Sequence, residues 1–112
     1  MKTTVLVVDD DRDLCEALCE LCEDEGFTAL GAFDAMEALA LNERHTVDVI
    51  LSDLNMPVMN GVQLYERLAA MASTPVFVLT STSRPREWPA DRLFLSKPID
   101  FDRLVRLVRA GA

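Results

Sequence analysis

Four short apolar runs, each continuous rather than alternating with polar residues, restrict this chain more than any other feature. They are VLVV (5–8), VIL (49–51), VFVL (76–79) and LFL (93–95). Strands that are covered on both faces have this pattern, because side chains on both sides of the pleat are buried. A weaker run, TALGAF (28–33), is typical of a strand near the edge of a sheet. The runs therefore predict a parallel sheet with helices on both faces.

Helical patterns alternate with these runs. The first helix is expected to end at Gly26, and its apolar stripe consists of Leu14, Ala17, Leu18 and Leu21. Asp34 and Glu37 have the spacing of a capping box, which predicts the start of a second helix over residues 36–41.

Two further helices are predicted in the second half of the chain. One covers residues 62–71, where the apolar positions are Leu64, Leu68 and Met71. The other is capped by Asp100, and its stripe consists of Phe101, Leu104, Val105 and Val108. Alternation of strands and helices within 112 residues predicts a single α/β domain, residues 1–112, with a doubly wound five-stranded parallel sheet.

The segment STSRPREWPADR, residues 81–92, departs from this alternation. Pro89 would break any helix that began at Pro85, so about one helical turn is the most that fits. We therefore expect a short or irregular fourth helix between the last two strands. Trp88 lies inside this segment, and we expect its side chain to fill the space that a full helix would have occupied.

Charge and composition exclude several classes of protein. The net charge is −8, and residues 1–83 hold 15 acids against 4 bases, which argues against direct nucleic-acid binding. No apolar run approaches the ~18 residues of a membrane span, and the first residues lack a signal-peptide pattern. Three cysteines form no disulfide framework and indicate a reducing compartment. The expected location is the cytoplasm, away from the membrane.

Polar residues follow each of the four main runs. In chain order they are Asp9 and Asp10, Ser52 and Asp53, Thr80 and Ser81, and Ser96 and Lys97. The carboxyl ends of parallel strands lie along one edge of an open α/β sheet, where such folds place their ligand sites. We therefore expect three carboxylates, a hydroxyl group and an ammonium group to converge there.

Such a cluster needs positive charge. Two like charges about 4 Å apart repel by ~4 kcal/mol at an effective dielectric constant near 20. Lys97 supplies one positive charge, and oxygen ligands favour Mg²⁺, or Mn²⁺, as the source of the rest. In this arrangement Asp53 would act as a nucleophile toward a phosphoryl group, while Lys97 and Thr80 would contact the phosphoryl oxygens.

Four segments together resemble the receiver domain of response regulators: VVDDD, DLNMPVMNG, VLTS and LFLSKP. The resemblance covers essentially the whole chain and implies a flavodoxin-like sheet of strand order 2-1-3-4-5. It implies that Asp53 accepts a phosphoryl group from a sensor histidine kinase or a histidine phosphotransfer protein. It further implies Mg²⁺ ligands at Asp9, Asp10, Asp53 and the backbone carbonyl of Asn55, switch residues Thr80 and Phe94, and a cis peptide bond between Lys97 and Pro98.

The resemblance makes the domain a signalling switch that catalyses its own aspartyl phosphorylation and dephosphorylation, rather than an enzyme with a separate substrate. A small phosphohydrolase is disfavoured, because Asn55 stands where such enzymes carry a second aspartate. The alternative that stays open is a pseudo-receiver, an interaction module that works without phosphorylation. With no effector domain in the chain, a single-domain regulator or an excised receiver is expected. The downstream effector and a homodimer are left open.

Structural roles compete with these assignments. Asp9 or Asp10 could cap the first helix, Thr80 could bond only to the backbone, Lys97 could be solvated, and Phe94 could be an ordinary core residue. Cys15, Cys19 and Cys22 form one line along the first helix, offset by one residue from its predicted stripe. We interpret them as small side chains flanking the core, with a reactive or partner-binding thiol stripe as the alternative.

Overall fold

The computed structural model of the protein describes residues 2–71 and 74–111, so the two ends of the predicted domain, residues 1 and 112, lie outside it. Within these ranges five strands and four helices follow one another along the chain. In order they are β1 (Thr4–Val8), α1 (Arg12–Asp24), β2 (Thr28–Ala32), α2 (Ala35–Arg44), β3 (Val49–Asp53), α3 (Gly61–Ala69), β4 (Val76–Ser81), β5 (Phe94–Ser96) and α4 (Phe101–Gly111).

The strands form one parallel sheet of order β2-β1-β3-β4-β5, which confirms the predicted sheet and places β2 at its edge. In the register between β3 and β4, Asp53 lies directly beside Thr80. The polar residues at the carboxyl ends of β1, β3 and β4 are therefore neighbours along one edge of the sheet.

Two apolar layers cover the sheet. On one face α2 and α3 pack over Leu6, Ile50 and Leu79, and on the other α1 and α4 pack over Val7 and Leu51. Burial on both faces explains why the strands are continuous apolar runs. In residues 2–71 and 74–111, no helix is both long enough and apolar enough to cross a membrane.

The predicted core stripe of α1 is confirmed at Leu18 and wrong at Ala17. The buried residues are Cys15, Leu18 and Cys22, whereas Ala17 is exposed and Leu14 is half-buried. The face that carries these three buried residues points at the sheet, where Sγ of Cys15 lies 3.6 Å from the carbonyl oxygen of Val7. Cys15 and Cys22 are therefore part of the core, and the interpretation that they only flank it was wrong. The predicted end of α1 is confirmed, because Gly26 follows it with φ +90°.

The ends of two other predicted stripes also lie outside the core. Helix α3 ends at Ala69, so Met71 no longer follows helical spacing and its side chain is 39% exposed. Phe101 is the first residue of α4 and is 46% exposed, while the other three members of its stripe are buried. Asp100 caps this helix as predicted, since its Oδ1 accepts a hydrogen bond from the N–H of Arg103.

The connection between β4 and β5 contains no α-helix. Two hydrogen-bonded turns replace it: the N–H of Trp88 donates to the carbonyl of Pro85, and the N–H of Arg92 donates to that of Pro89. The guanidinium group of Arg84 bonds to carbonyls of the same segment, at 2.6 Å to Pro89. The irregular fourth connection is thus confirmed, and its proline residues account for it.

Trp88 fills the space beneath these turns, as predicted. Its side chain is 1% exposed, and its ring packs edge-on against Tyr65 at a centroid distance of 5.1 Å. The indole Nε1–H donates to the carbonyl of Leu93 at 2.9 Å, so its one polar atom is satisfied. Phe77 completes the cluster.

Candidate functional site

The carboxyl edge of the sheet holds a group of buried polar side chains. Asp9 follows β1, Asp53 ends β3 and Thr80 lies near the end of β4, with 2%, 5% and 1% of their surfaces exposed. Asp10 is exposed at the same edge. Buried carboxylates are rare unless a positive charge or a metal compensates them. The two buried carboxylates at this edge therefore need a compensating positive charge.

Lys97 brings a positive charge to this edge from the loop after β5. Its Nζ lies 3.0 Å from Oδ2 of Asp9 and 3.1 Å from Oδ1 of Asp53. One ammonium group therefore contacts two carboxylates that come from different strands. The peptide bond between Lys97 and Pro98 is cis.

A second positive charge would fit on the open side of the cluster. One carboxylate oxygen from each of Asp9, Asp10 and Asp53 lies within 4.8 Å of the other two. Among the described residues this is the only such group of three or more His, Cys, Asp or Glu side chains. A donor set made only of oxygen atoms suits a hard divalent cation such as Mg²⁺, which also retains water ligands.

The electrostatic balance of the site leaves Asp53 short of positive charge. Burial and the neighbouring Asp9 raise the pKa of Asp53, and the contact with Lys97 offsets them only in part. Burial lowers the pKa of Lys97, but its hydrogen bonds to Asp9 and Asp53 outweigh this and raise the pKa overall. A divalent cation would supply the missing charge and hold Asp53 ionised.

Thr80 is placed to bond to a group attached to Asp53. It is the register neighbour of Asp53, and its hydroxyl donates to the carbonyl of Ser52 over 3.4 Å, near the limit for a hydrogen bond. Such a weak bond is easily exchanged for one to a stronger acceptor. In this structure the Thr80 hydroxyl bonds to the backbone, and its contact with a phosphoryl oxygen stays a prediction.

The capping alternative for Asp9 and Asp10 was wrong. The N-cap of α1 is Asp11, whose Oδ1 accepts a hydrogen bond from the N–H of Leu14 at 3.2 Å. Asp9 instead accepts a hydrogen bond from the N–H of Asp11 at 2.9 Å. Sequence reasoning missed Asp11 as the cap, although its position one residue before Arg12, the first helical residue, was the available signal.

The loop after β3 depends on a glycine that sequence reasoning also missed. A Cβ atom at Gly61 would lie 2.5 Å from the carbonyl oxygen of Asp53 and 2.6 Å from Cδ1 of Leu79. The N–H of Gly61 donates to the carbonyl of Leu54 at 2.9 Å. Gly61 therefore allows α3 to start directly against Asp53. In the same loop Asn55 is exposed, and its carbonyl as a metal ligand stays a prediction.

Phe94 lies at the start of β5, two strands away from Asp53. It is half-buried and packs on the layer that contains α2 and α3. The guanidinium group of Arg84 lies 5.0 Å from the centre of its ring. Phe94 therefore lies only partly in the core, and a switch role stays a prediction.

Comparison with known proteins identifies what this arrangement is similar to. A sequence model of the family described as "Response regulator receiver domain" matches residues 5–109. The transcriptional regulatory protein CpxR of Klebsiella pneumoniae is 39% identical over 112 residues, which cover 95% of this chain and 47% of that protein. The sensory transduction protein RegX3 of Mycolicibacterium smegmatis is 32% identical, over 96% of this chain and 50% of its own length.

Solved structures agree with these sequence matches. A CheY-like response regulator receiver domain from Methylobacillus flagellatus superimposes with a TM-score of 0.89 at 28% identity, and the match covers 100% of both chains. The present chain spans about half the length of CpxR and RegX3, the curated relatives named above.

Proposed function

The chain belongs to the response regulator receiver domain family, and on that premise we propose that it is the phosphoacceptor of a two-component phosphorelay. Asp53 accepts the phosphoryl group, which comes from the phosphohistidine of a sensor histidine kinase or of a histidine phosphotransfer protein. The new phosphoryl group changes the conformation of the domain and so its affinity for a downstream effector. We place this exchange in the cytoplasm.

One observation carries the proposal. The buried carboxylate of Asp53 lies 3.1 Å from the ammonium group of Lys97 and within 4.8 Å of oxygen atoms of Asp9 and Asp10. This arrangement concentrates positive charge, from Lys97 and from a bound cation, on the one carboxylate that also has a hydroxyl neighbour. Phosphoryl transfer depends almost entirely on such positioning and charge neutralisation.

Each residue has a definite part in the transfer. An Oδ atom of Asp53 forms a bond to phosphorus while the bond between phosphorus and the histidine nitrogen breaks, and that nitrogen keeps the electron pair. Lys97 contacts a phosphoryl oxygen, Asp9 holds Lys97 in position, and the Thr80 hydroxyl donates to a second phosphoryl oxygen.

A magnesium ion fits the same residues. Asp9, Asp10, Asp53 and the carbonyl of Asn55 would hold it, with Mn²⁺ as a substitute. When bound, the ion neutralises charge on the phosphoryl oxygens and on the carboxylates. Asp10 is exposed, so its carboxylate is open to an ion from solvent, which supports a role as ligand.

Incubation with acetyl phosphate, followed by intact mass measurement, tests the proposal. The wild-type protein is expected to gain one phosphoryl group when Mg²⁺ is present and none with a chelator. Asp53→Asn should gain none. Asp11→Asn is the matched control, because it removes a nearby carboxylate while asparagine still caps α1; it should be phosphorylated like the wild type.

Two results would contradict the proposal. Phosphorylation of Asp53→Asn to the wild-type level would show a different acceptor. A folded wild-type protein that binds Mg²⁺ but gains no phosphoryl group would favour the pseudo-receiver, an interaction module that works without phosphorylation.

A further inference from the structure

Two thiol groups meet on the side of the molecule formed by α1 and β2. Cys15 is 1% exposed and Cys19, one helical turn later, is half-buried. A Cβ atom at Gly31 in β2 would lie 3.2 Å from Sγ of Cys15 and 3.3 Å from Sγ of Cys19. Both sulfur atoms therefore point at the same place on the sheet, and the absence of a side chain at Gly31 makes room for them.

A cavity of about 390 Å³ opens beside the two sulfur atoms. Three glutamates share its lining with the thiols and Gly31: Glu16, Glu20 and Glu23. All three carboxylates are exposed, so they surround the opening with negative charge. A small cation would be attracted to this opening, whereas an anion would be repelled.

The thiols are poorly placed for a disulfide bond. Side chains four residues apart on a helix have Cβ atoms about 5–6 Å apart, whereas a disulfide needs about 3.5–4.5 Å. An ion between the sulfur atoms removes this mismatch, because it adds the length of two metal–sulfur bonds. The helix can then stay intact.

We propose that Cys15 and Cys19 together bind one soft, two-coordinate cation of the Cu(I) type. Thiolates select soft metals, and the paired sulfur atoms beside an acidic opening supply two such ligands. A structural zinc ion would need four ligands. In the described ranges, the only group of three or more metal-binding side chains whose ligand atoms lie within 4.8 Å of one another is the aspartate cluster, so the thiol pair is not part of such a group. On binding, each thiol loses its proton to water and each sulfur forms one bond to the ion.

The remaining cysteine does not belong to this site. Cys22 is 1% exposed and does not line the cavity. The hydrogen bond between the two thiols lowers the pKa of Cys15 and raises that of Cys19, so the paired thiols interact with each other before any ion is present. Cys22 therefore offers a matched control.

Competition for Cu(I) tests the site on the full, reduced chain without oxygen. Bicinchoninate, a chromogenic Cu(I) chelator, reports how much Cu(I) the protein removes from it. We expect one Cu(I) per chain, a loss of affinity of at least ~10-fold in Cys19→Ser and in Cys15→Ala, and wild-type affinity in Cys22→Ala. Gly31→Ala should also weaken binding, because its methyl group would crowd both sulfur atoms.

Cys19→Ser is the decisive variant, since Cys19 is half-buried and its replacement should leave the fold intact by circular dichroism. Unchanged Cu(I) affinity in this folded variant would overturn the proposal. So would a wild-type protein that competes no better than the Cys15→Ala, Cys19→Ser double variant, or a loss of affinity in Cys22→Ala as large as in Cys19→Ser.

Discussion

Folding buries the carboxylate of Asp53 and so disfavours its ionised form. Burial and Asp9 raise its pKa, while Lys97 provides only partial relief because it is shared with Asp9. This shortage of positive charge is the physical reason to expect a cation at the site. It also links the stability of the fold to the protonation of one side chain.

Asp53→Asn is expected to be more stable than the wild type at neutral pH when Mg²⁺ is removed by a chelator. A carboxyl group whose pKa is raised by folding contributes most below its unfolded pKa of ~3.9, and that contribution is lost as the pH rises through the folded pKa. The neutral amide avoids this loss. Thermal unfolding should give a higher melting temperature for the variant at pH 7, where ~1 kcal/mol corresponds to roughly 4 °C.

The difference in melting temperature should shrink as the pH falls through ~3.9 and below it, because Asp53 then becomes protonated in the unfolded state as well as in the folded state. Asp11→Asn is the control for loss of one acidic charge, and its difference from the wild type should change little over the same range. A variant at position 53 that is less stable than the wild type at pH 7 would contradict the reasoning.

Gly61 is the residue on which the position of Asp53 most depends. Gly61→Ala would put a methyl carbon 2.5 Å from the carbonyl oxygen of Asp53, and backbone atoms cannot move aside as a flexible side chain can. Overpacking of this kind destabilises proteins by ~1–3 kcal/mol, and here it also displaces Asp53. Denaturant unfolding should show the loss, and phosphorylation by acetyl phosphate should slow.

Gly111→Ala is the matched control for Gly61→Ala, because its nearest new contact is a side-chain atom, Cγ1 of Val76, at 3.3 Å. That variant should keep near-wild-type stability and phosphorylation. Equal effects of the two substitutions would show that helical glycines matter in general, and not the approach of α3 to Asp53.

At the scale of elements, the segment between β4 and β5 replaces a helix with two turns and a tryptophan. Trp88 packs against Tyr65 and Phe77, and its indole N–H bonds to the segment's own end at Leu93. Arg84 bonds to carbonyls within the segment and also lies over Phe94. The segment therefore links β4, the strand that carries Thr80, to the ring of Phe94 at the start of β5.

Trp88→Ala is expected to lower the free energy of unfolding by ~3–5 kcal/mol, as for other buried aromatic residues cut back to alanine. The cavity would lie under the turns, which have no helix to hold them. Trp88→Phe keeps much of the volume and loses the bond to Leu93, so its loss should be clearly smaller. Chemical denaturation of both variants measures this, and equal losses would mean that the hydrogen bond, not the packing, holds the segment.

The elements that could be predicted are those whose sequence pattern lies within the element itself. Continuous apolar runs and two prolines four residues apart were enough for the sheet and for the irregular connection, since both follow from backbone chemistry. The burial of Cys15 rather than Leu14 could not be predicted, because both residues are apolar and the room for the Cys15 sulfur comes from Gly31 in β2, which is distant in sequence. The requirement for glycine at position 61 could not be predicted either, because it arises only where α3 starts against Asp53.

At the scale of the whole molecule, the candidate site was predictable because the topology of a parallel sheet collects strand ends. Asp9, Asp53 and Lys97 are far apart in sequence, yet each follows an apolar run. The sheet order brings the Nζ of Lys97 to 3.0 Å from a carboxylate oxygen of Asp9 and 3.1 Å from one of Asp53.

The net charge of −8 also acts on the molecule as a whole. Acidic side chains repel one another over a Debye length of ~10 Å at 0.1 M salt, so NaCl should raise the melting temperature by screening them. A bound ion acts differently, since it stabilises only the folded state by mass action: a concentration 100 times its Kd contributes ~2.7 kcal/mol. Screening and binding can therefore be separated.

We expect MgCl₂ to raise the melting temperature of the wild type more than NaCl does at the same ionic strength. Asp10→Asn removes an exposed carboxylate of the cluster without disturbing the core, so this variant should keep the NaCl effect and lose most of the additional Mg²⁺ effect. Asp11→Asn, with the same change of charge one residue later, should keep both effects. If Mg²⁺ stabilised Asp10→Asn as strongly as Asp11→Asn, the ion would be acting on the diffuse negative charge of the surface, and the aspartate cluster would not be its site.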